Sequence, residues 1–277
     1  MRNYFSYEKW NIATTSSTIA ELIEGKWHSL HLIDHQNKWE NAADPFYWNK
    51  DIYFEEFNYC NKGKIVKLNL KSGERETVFS PDHHVSFPTR FESGFLVESA
   101  TRNILTFLNQ NWEVVRTETS KSSSYLDPVI YDKGGVNFLF SSKHGTKKHS
   151  VLNVSRLNSE GEWENITDKP ACNSQFGGRM AGQILDDQKF GRLRFGQVSC
   201  PKYGSGIAVH RITCLEDFRY SEEFIGEIKP PTGFDGIHTI NKCEQGYVVD
   251  LRTDTPFSVL KVMQLVKKRF NAFRKKP

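Results

Sequence analysis

The feature that most constrains this chain is a two-stranded unit that occurs five times between Asp44 and Asp250. Each copy has an apolar strand, a turn rich in Gly, Asp, Asn or Lys, and a second apolar strand with a polar end. Three copies are DPFYWNKDIYFE, FPTRFESGFLVE and DPVIYDKGGVNFLFS, from Asp44, Phe87 and Asp127, and two looser ones are AGQILDDQKFGRLRFGQ and HTINKCEQGYVVD, from Ala181 and His238. Their starts lie roughly forty to sixty residues apart, which is the spacing of propeller blades.

A unit of this kind cannot bury its own faces and must pack against its neighbours. We therefore predict an all-β fold, a five-bladed β-propeller over residues 1–255. The last unit is long enough for only two strands, so the N-terminal segment is expected to complete that blade and close the ring. The aromatic content of 13% agrees with a strand-rich chain.

The C-terminal segment, residues 256–277, has a different pattern. Apolar side chains recur at helical spacing with Lys and Arg between them, at Val259, Val262, Met263, Val266, Phe270 and Phe273. This pattern predicts a basic amphipathic helix. Two placements stay open: the helix packs on the rim of the propeller, or it lies on an anionic membrane surface.

Charge and composition limit the partners. The net charge is +4, and the C-terminal segment holds seven basic residues and no acidic one, so the rest of the chain carries −3. A mildly acidic body argues against nucleic-acid binding. The start MRNYFSYEKW lacks the apolar stretch of a secretory signal, and the five cysteines are scattered. We expect a cytoplasmic protein with reduced thiols, attached peripherally to the inner face of the membrane if the tail binds lipid.

A set of motifs, in order along the chain, points to a family. They are ADPF from Ala43, HVSFPTRFESGFLVES from His84, LDPVIYD from Leu126, RMAG from Arg179, RFGQVSCPKYG from Arg194 and HTIN from His238. With them, the region from Trp39 to Asp250 resembles the N-terminal domain of plant glucosamine inositolphosphorylceramide transferases and its bacterial relatives in surface-polysaccharide biosynthesis. The resemblance implies a five-bladed propeller related to arabinanases and invertases, and a role in glycan assembly.

The repeat alignment selects residues for a channel mouth, because the innermost strand of each blade lines the centre of a propeller. The matching positions are Asp44, Phe87 or Ser86, Asp127, Arg179 or Ala181, and His238. Two carboxylates that face each other across a channel are what glycosyl chemistry requires. We therefore predict that Asp44 and Asp127 are catalytic.

The resemblance to the hydrolases carries Asp44 and Asp127 over to two of their acidic positions, but the short motif with their acid Glu is missing. Arg179 and Gln197 stand in that blade instead, and Glu98 is the best substitute acid. The predicted substrate-binding residues are Arg179, His238, Gln197 and Arg194. We expect no cofactor and no metal ion.

Each of these residues also has a purely structural interpretation. An Asp-Pro pair fixes a turn, Arg179 is either a partner of Asp127 or a clamp for an anion, and His238 is either a ligand contact or part of the wall. Glu55 and Asp250 are interpreted as caps of strand ends, and Tyr203 as part of a turn.

The leading prediction is glycosyl transfer to surface glycans, with a sugar or nucleotide-sugar as ligand. The first alternative is a non-catalytic, glycan-binding propeller that positions a partner glycosyltransferase. The second is a glycoside hydrolase.

Overall fold

The computed structural model describes residues 6–33, 40–58, 61–119, 125–144, 150–167 and 169–256. The N-terminal part has β1 (Ser6–Thr15), α1 (Ile19–Ile23) and β2 (His31–Leu32). Blade I follows with β3 (Asn41–Trp48), β4 (Asp51–Asn58), β5 (Asn61–Asn69) and β6 (Arg75–Phe79). Blade II has β7 (Ser86–Phe91), β8 (Gly94–Ser99), β9 (Ile104–Leu108) and β10 (Val114–Thr119).

Blade III has β11 (Leu126–Lys133), β12 (Val136–His144), β13 (Ser150–Leu157), β14 (Trp163–Asn165) and β15 (Cys172–Ser174). Blade IV has β16 (Phe176–Met180), β17 (Leu185–Asp187), β18 (Gly191–Val198), β19 (Gly206–Glu216) and β20 (Arg219–Ile228). The last two strands are β21 (Gly236–Cys243) and β22 (Gly246–Pro256). In blade V they form one antiparallel sheet with the N-terminal strands, in the order β2-β1-β22-β21.

The described strands thus form five sheets, and the protein is an all-β, five-bladed β-propeller with very little helix. The first strands of successive blades contact one another around the centre: β21 contacts β3, β3 contacts β7, and β7 contacts β11, which contacts β16. Apolar residues from adjacent blades make up the core clusters between the sheets. The prediction of this architecture from the repeats is confirmed.

Every first strand carries a β-bulge near its start. The register shifts between Ala43 and Phe46, Ser86 and Thr89, Leu126 and Val129, Phe176 and Met180, and Ile237 and Ile240. Asp44, Phe87, Asp127 and Gly177 have φ values of 52°, 47°, 47° and 91° in these bulges. A proline follows three of them, at a position where the missing N–H removes no ladder bond. The recurring Asp-Pro and Phe-Pro pairs therefore mark the bulges.

The predicted C-terminal helix and the whole basic segment from residue 257 onward lie outside the described residues. Within the described ranges, none of the helices is long and apolar enough to cross a membrane.

Candidate functional site

The bulges bring together a group of ionisable side chains from all five blades, which we call the channel cluster. Its members are Asp44, Glu55, Glu98, Asp127, Arg179, His238 and Asp250. All except Arg179 are buried, and the Arg179 side chain keeps 21% of its surface exposed. Residues from Asp44 to Asp250 thus meet at one place, because each blade returns its first strand to the centre.

On one side of the cluster, His238 lies between two carboxylates. Its Nδ1 is 2.7 Å from Asp250 Oδ2 and its Nε2 is 3.4 Å from Asp44 Oδ1. Thr239 donates its hydroxyl to Asp44 Oδ1 at 2.8 Å. The Trp10 ring packs on the imidazole with a centroid distance of 4.1 Å. This environment fixes both the position and the orientation of the imidazole.

On the other side, Asp127 is bound by Arg179 through both carboxylate oxygens. Arg179 Nε donates to Asp127 Oδ2, and Arg179 Nη2 donates to Oδ1 at 3.0 Å. Gln197 Nε2 donates to the same Oδ2 at 2.7 Å and to the Met180 carbonyl at 2.8 Å. A bidentate Arg–carboxylate pair is among the stronger polar contacts in proteins. Asp127 is therefore an ion-paired carboxylate with little freedom to move.

Glu98 and Asp250 also hold the bulges in place. Glu98 Oε2 accepts the Asp127 backbone N–H at 3.0 Å, and Asp250 Oδ2 accepts that of Asp44 at 2.9 Å. In each case a carboxylate on the second strand of one blade accepts a backbone N–H from the bulge of the next blade. The sheet itself provides no partner for that N–H. Ser86 also donates its hydroxyl to Glu98 Oε1 at 3.2 Å, so both oxygens of the predicted assisting acid already have hydrogen-bond partners.

Burial raises the pKa of three acids in the cluster. It raises the pKa of Asp44 to about 6, with the Asp127 and Asp250 charges adding to the effect against that of His238. Burial likewise holds the pKa of Glu55 and of Glu98 well above the ordinary range, and the neighbouring carboxylates add to it. Too many acids share one buried place for all of them to ionise. The raised pKa values favour the protonated forms of Glu55 and Glu98, while Asp44 titrates near pH 6.

The pKa of His238 is also raised. Burial lowers it, but the carboxylates of Asp250 and Asp44 outweigh that effect. A positive imidazolium between two acids offsets part of the negative charge of the cluster. The proton on this ring therefore depends on the ionisation of Asp44.

These shifts predict that the protein is more stable in weak acid than at pH 8. For Asp44 the ordinary value is 3.8 and the folded value is about 6, so its contribution is complete below about pH 4 and is lost as the pH rises through 6. At about 1.4 kcal/mol per pH unit, the loss from this group is about 3 kcal/mol. His238 acts in the same direction, since its raised pKa favours folding below 6.5. Urea unfolding between pH 4 and 8 measures this slope.

Asp44→Asn is expected to flatten that slope, because the amide does not titrate. The matched control is Asp186→Asn, an exposed carboxylate in blade IV, which should leave the slope unchanged. An unfolding free energy that is constant or rises between pH 5 and 8 in the wild type contradicts the predicted effect.

Glu55, Asp250 and Tyr203 belong to this site although the sequence interpretation gave them structural roles. Glu55 Oε1 lies 3.2 Å from Nε2 of His84, whose side chain is 39% exposed. Tyr203 is half-buried, with Arg179 Cζ 5.2 Å from its ring centroid and the His238 ring at 5.3 Å. For the acids a sequence signal existed: FE, VE and VD end matching apolar runs in three second strands, at Glu55, Glu98 and Asp250.

Of the predicted substrate-binding residues, Arg179, His238 and Gln197 lie in or against the channel cluster. Arg194 does not join them. It is fully buried between β18 and β20, where its guanidinium binds Glu222 through two hydrogen bonds of 2.6 Å. Side chains alternate along a strand, so Arg194 and Gln197, three residues apart on β18, point to opposite faces.

Asp44, His238 and Asp250 are also the residues that could hold a metal ion, because one ligand atom from each lies within 4.8 Å of the others. These side chains already form ion pairs with one another, and Asp250 Oδ1 accepts the backbone N–H groups of His238 and Thr239 at 3.0 and 2.9 Å. A bound ion would have to replace the His238 contacts.

A large cavity lies away from this cluster. It has a volume of about 670 Å³ and is lined by residues next to α1 and the β17–β18 turn, among them Thr18, Asp187 and Tyr247. Its walls lack the convergent acids of the channel. We therefore place the candidate site at the cluster, on its chemistry.

No family model matches this chain, and none of the curated proteins matches it. Solved structures do match. The sucrose-6-phosphate hydrolase from Lactobacillus gasseri is 9% identical, with 76% of this chain and 53% of that chain covered and a TM-score of 0.53. The α-L-arabinofuranosidase from Lactobacillus brevis is 11% identical, with 79% and 91% covered and a TM-score of 0.51.

A structure of the nidogen/laminin complex also matches, with 8% identity, 88% and 85% coverage and a TM-score of 0.51. This chain spans only 55% and 53% of two of the matched structures, a glycoside hydrolase and the sucrose-6-phosphate hydrolase. At such identities the likeness shows the fold. It agrees with the β-propeller fold described above.

The comparisons correct the leading functional prediction. Glycosyl transfer in polysaccharide biosynthesis is wrong as the first interpretation, since the two sugar-active proteins compared above are a sucrose-6-phosphate hydrolase and an α-L-arabinofuranosidase. They favour the alternative that the sequence analysis put last. The missing hydrolase Glu motif had weighed against that alternative, but a folded channel can assemble acids that no linear motif shows.

Proposed function

We propose that this protein is a glycoside hydrolase whose channel cluster cleaves a neutral glycan. The observation that carries the proposal is the convergence of Asp44, Glu55 and Asp127 on one buried place, with Asp44 titrating near pH 6. A group whose pKa lies near the working pH is suited to give and take a proton. The named hydrolases support the reaction class by fold alone.

The roles follow from the contacts. Burial and the neighbouring Asp44 carboxylate raise the pKa of Glu55, and burial raises that of Asp44 to about 6. We assign these two carboxyls as the acid that protonates the leaving oxygen. Asp127, ion-paired with Arg179, faces the positive charge that develops on the sugar ring in the transition state. Arg179 and Gln197 keep this carboxylate in one orientation, which spares the enzyme that reorganisation during the reaction.

The charge of the cluster favours an uncharged substrate. The two cationic side chains in it, Arg179 and His238, are already bound to Asp127, Asp44 and Asp250. A phosphate or carboxylate on the sugar would be repelled by the acids of the cluster. Both cationic side chains of the cluster already bind acids, so neither would compensate the added negative charge. A nucleotide-sugar, with its two phosphates, is therefore disfavoured as the ligand.

The test is release of reducing sugar from a panel of neutral glycans. Asp44→Asn is expected to lower the rate about 10²- to 10⁴-fold, the usual contribution of a proton-transferring group. Asp186→Asn is the control and should cleave like the wild type. Equal cleavage by Asp44→Asn contradicts the assigned role, and no cleavage of any glycan by the wild type contradicts the hydrolase.

A second candidate is a non-catalytic, glycan-binding propeller. The Arg179–Asp127 ion pair favours it, because a fully paired carboxylate is better suited to binding than to chemistry. In that case sugars should change the fluorescence of Trp10, which packs on His238, without any turnover. Such a protein would position a partner enzyme, as the sequence analysis predicted for a glycosyltransferase.

Three finer sequence predictions stay proposals. One is kinship with the N-terminal domain of plant glucosamine inositolphosphorylceramide transferases, and another is attachment of the 256–277 segment to an anionic membrane. The third is closure of the ring by the N-terminal segment, which is supported by the place of β1 between β22 and β2 in blade V.

A further inference from the structure

Blade IV contains a buried ion pair that the proposed reaction does not use directly. Arg194 on β18 donates from Nε and Nη2 to the two carboxylate oxygens of Glu222 on β20, both at 2.6 Å. The Arg194 side chain is fully buried and that of Glu222 is 10% exposed. Tyr220 donates its hydroxyl to Glu222 at 2.5 Å, and His210 Nδ1 lies 3.5 Å from it.

A buried ion pair often stabilises a fold no more than apolar residues of similar size would. This pair has another contact that an apolar residue cannot make. Arg194 Nη1 donates to the Gly177 carbonyl at 2.8 Å. Gly177 begins the bulge of β16, where the ladder to β18 is interrupted between Phe176 and Met180. Arg194 thus binds a carbonyl inside the irregular part of the strand.

The bulge is fitted closely to the side chains below it. Gly177 has a φ of 91°, and a Cβ built there would lie 2.5 Å from His210 Nε2. A Cβ on Gly196 would lie 2.4 Å from the Gly177 Cα and 2.9 Å from Arg194 Nη1. Close contacts at the two glycines and the buried histidine therefore restrict this part of the strand to one backbone conformation. In the other four blades the register shift skips two residues, whereas here it skips three.

Arg179 is the last of those three residues. It reaches across to blade III and binds Asp127 through both oxygens, a geometry that tolerates little displacement of its backbone. We infer that the Arg194–Glu222 pair is a positioning device, which fixes the Gly177 carbonyl so that Arg179 presents its guanidinium to Asp127. Only one part of this inference rests on the proposed function, namely that the orientation of Asp127 serves catalysis.

The test uses the double variant Arg194→Met/Glu222→Leu, because removing one partner alone strands a buried charge and risks unfolding. The readout is the Arg179 Nε–H resonance in a ¹H–¹⁵N NMR spectrum, assigned by its loss in Arg179→Lys. In the wild type the bond to Asp127 should protect it from solvent exchange. The double variant is expected to keep the wild-type circular dichroism and to lose this protection by at least about tenfold, as a broken hydrogen bond does.

The matched control is Arg211→Met/Glu223→Leu, which removes an exposed ion pair of the same β19–β20 hairpin and should leave the resonance protected. Gly177→Ala is an independent second variant: its Cβ pushes the bulge off His210 while both ions stay, and the same protection should be lost. Undiminished protection in either folded variant overturns the inference, and the pair is then structural only. Since no substrate enters the measurement, a protein that cleaves no glycan would defeat the proposed function and leave this result standing.

Discussion

Deleting residues 1–15 is expected to abolish the cooperative unfolding of the protein. Strand β1 pairs with β22 over ten residues, from Ser6 opposite Pro256 to Thr15 opposite Tyr247. Its Trp10, Ile12 and Ala13 are buried in the core. Without β1, blade V keeps two strands and β22 becomes an open edge, which is a template for aggregation. Urea unfolding followed by far-UV circular dichroism measures the effect.

The truncation also removes a link between blades, since Trp10 N donates to the buried Asn41 Oδ1 at 2.9 Å. Supplying residues 1–18 as a separate peptide should restore the transition, and a peptide of the same composition in scrambled order should not. If the truncated chain still unfolds in one transition at the wild-type urea concentration, the N-terminal strand does not close the ring.

Arg179→Met should lower the free energy of unfolding by about 3 kcal/mol, because it leaves the Asp127 carboxylate buried with Gln197 as its remaining side-chain donor. The partial exposure of Arg179 places the estimate at the low end of the range for buried pairs. Urea unfolding at pH 7 measures it. A parallel loss of glycan cleavage is expected, since Asp127 then lacks the bidentate contact that holds its carboxylate in one orientation.

The double variant Arg179→Met/Asp127→Asn distinguishes the loss of the ion pair from the cost of leaving an unpaired carboxylate buried. It should recover most of the lost stability, because the unpaired charge is gone, but it should not recover cleavage. Arg211→Met, at an exposed pair, is the control and should change stability by less than about 1 kcal/mol. If Arg179→Met is as stable as this control, Asp127 does not depend on the ion pair.

The architecture could be predicted from the sequence because each repeating unit is encoded by residues close together in the chain. Each hairpin, such as DPFYWNKDIYFE, is encoded within a dozen residues, and its repetition leaves few ways other than a ring to bury both faces. The two Asp-Pro pairs, to which the sequence analysis gave a turn as the structural interpretation, stand at two of the five bulges, at Asp44 and Asp127. The two looser copies were harder, because blade IV inserts β17 and a longer bulge between its strands.

The site was accessible only in part. Asp44, Asp127, Arg179 and His238 stood out because they start their units, and the fold places them in one cluster. Arg194 shares the RFGQ motif with Gln197, yet its side chain binds Glu222 on the opposite face of β18. A motif groups residues that are close together in the sequence. In a strand, side chains alternate between the two faces, so such residues can lie in different surroundings.

By itself the sequence determined the strands, the turns and the number of blades, because these depend on residues close together in the chain. Only the tertiary structure decided which acids lie together, which carboxylate Arg179 binds and why the pKa of Glu55 is raised. Those properties arise from burial and from charges brought together across up to 206 positions of sequence, as between Asp44 and Asp250. Their strength depends on distance and on the exclusion of water.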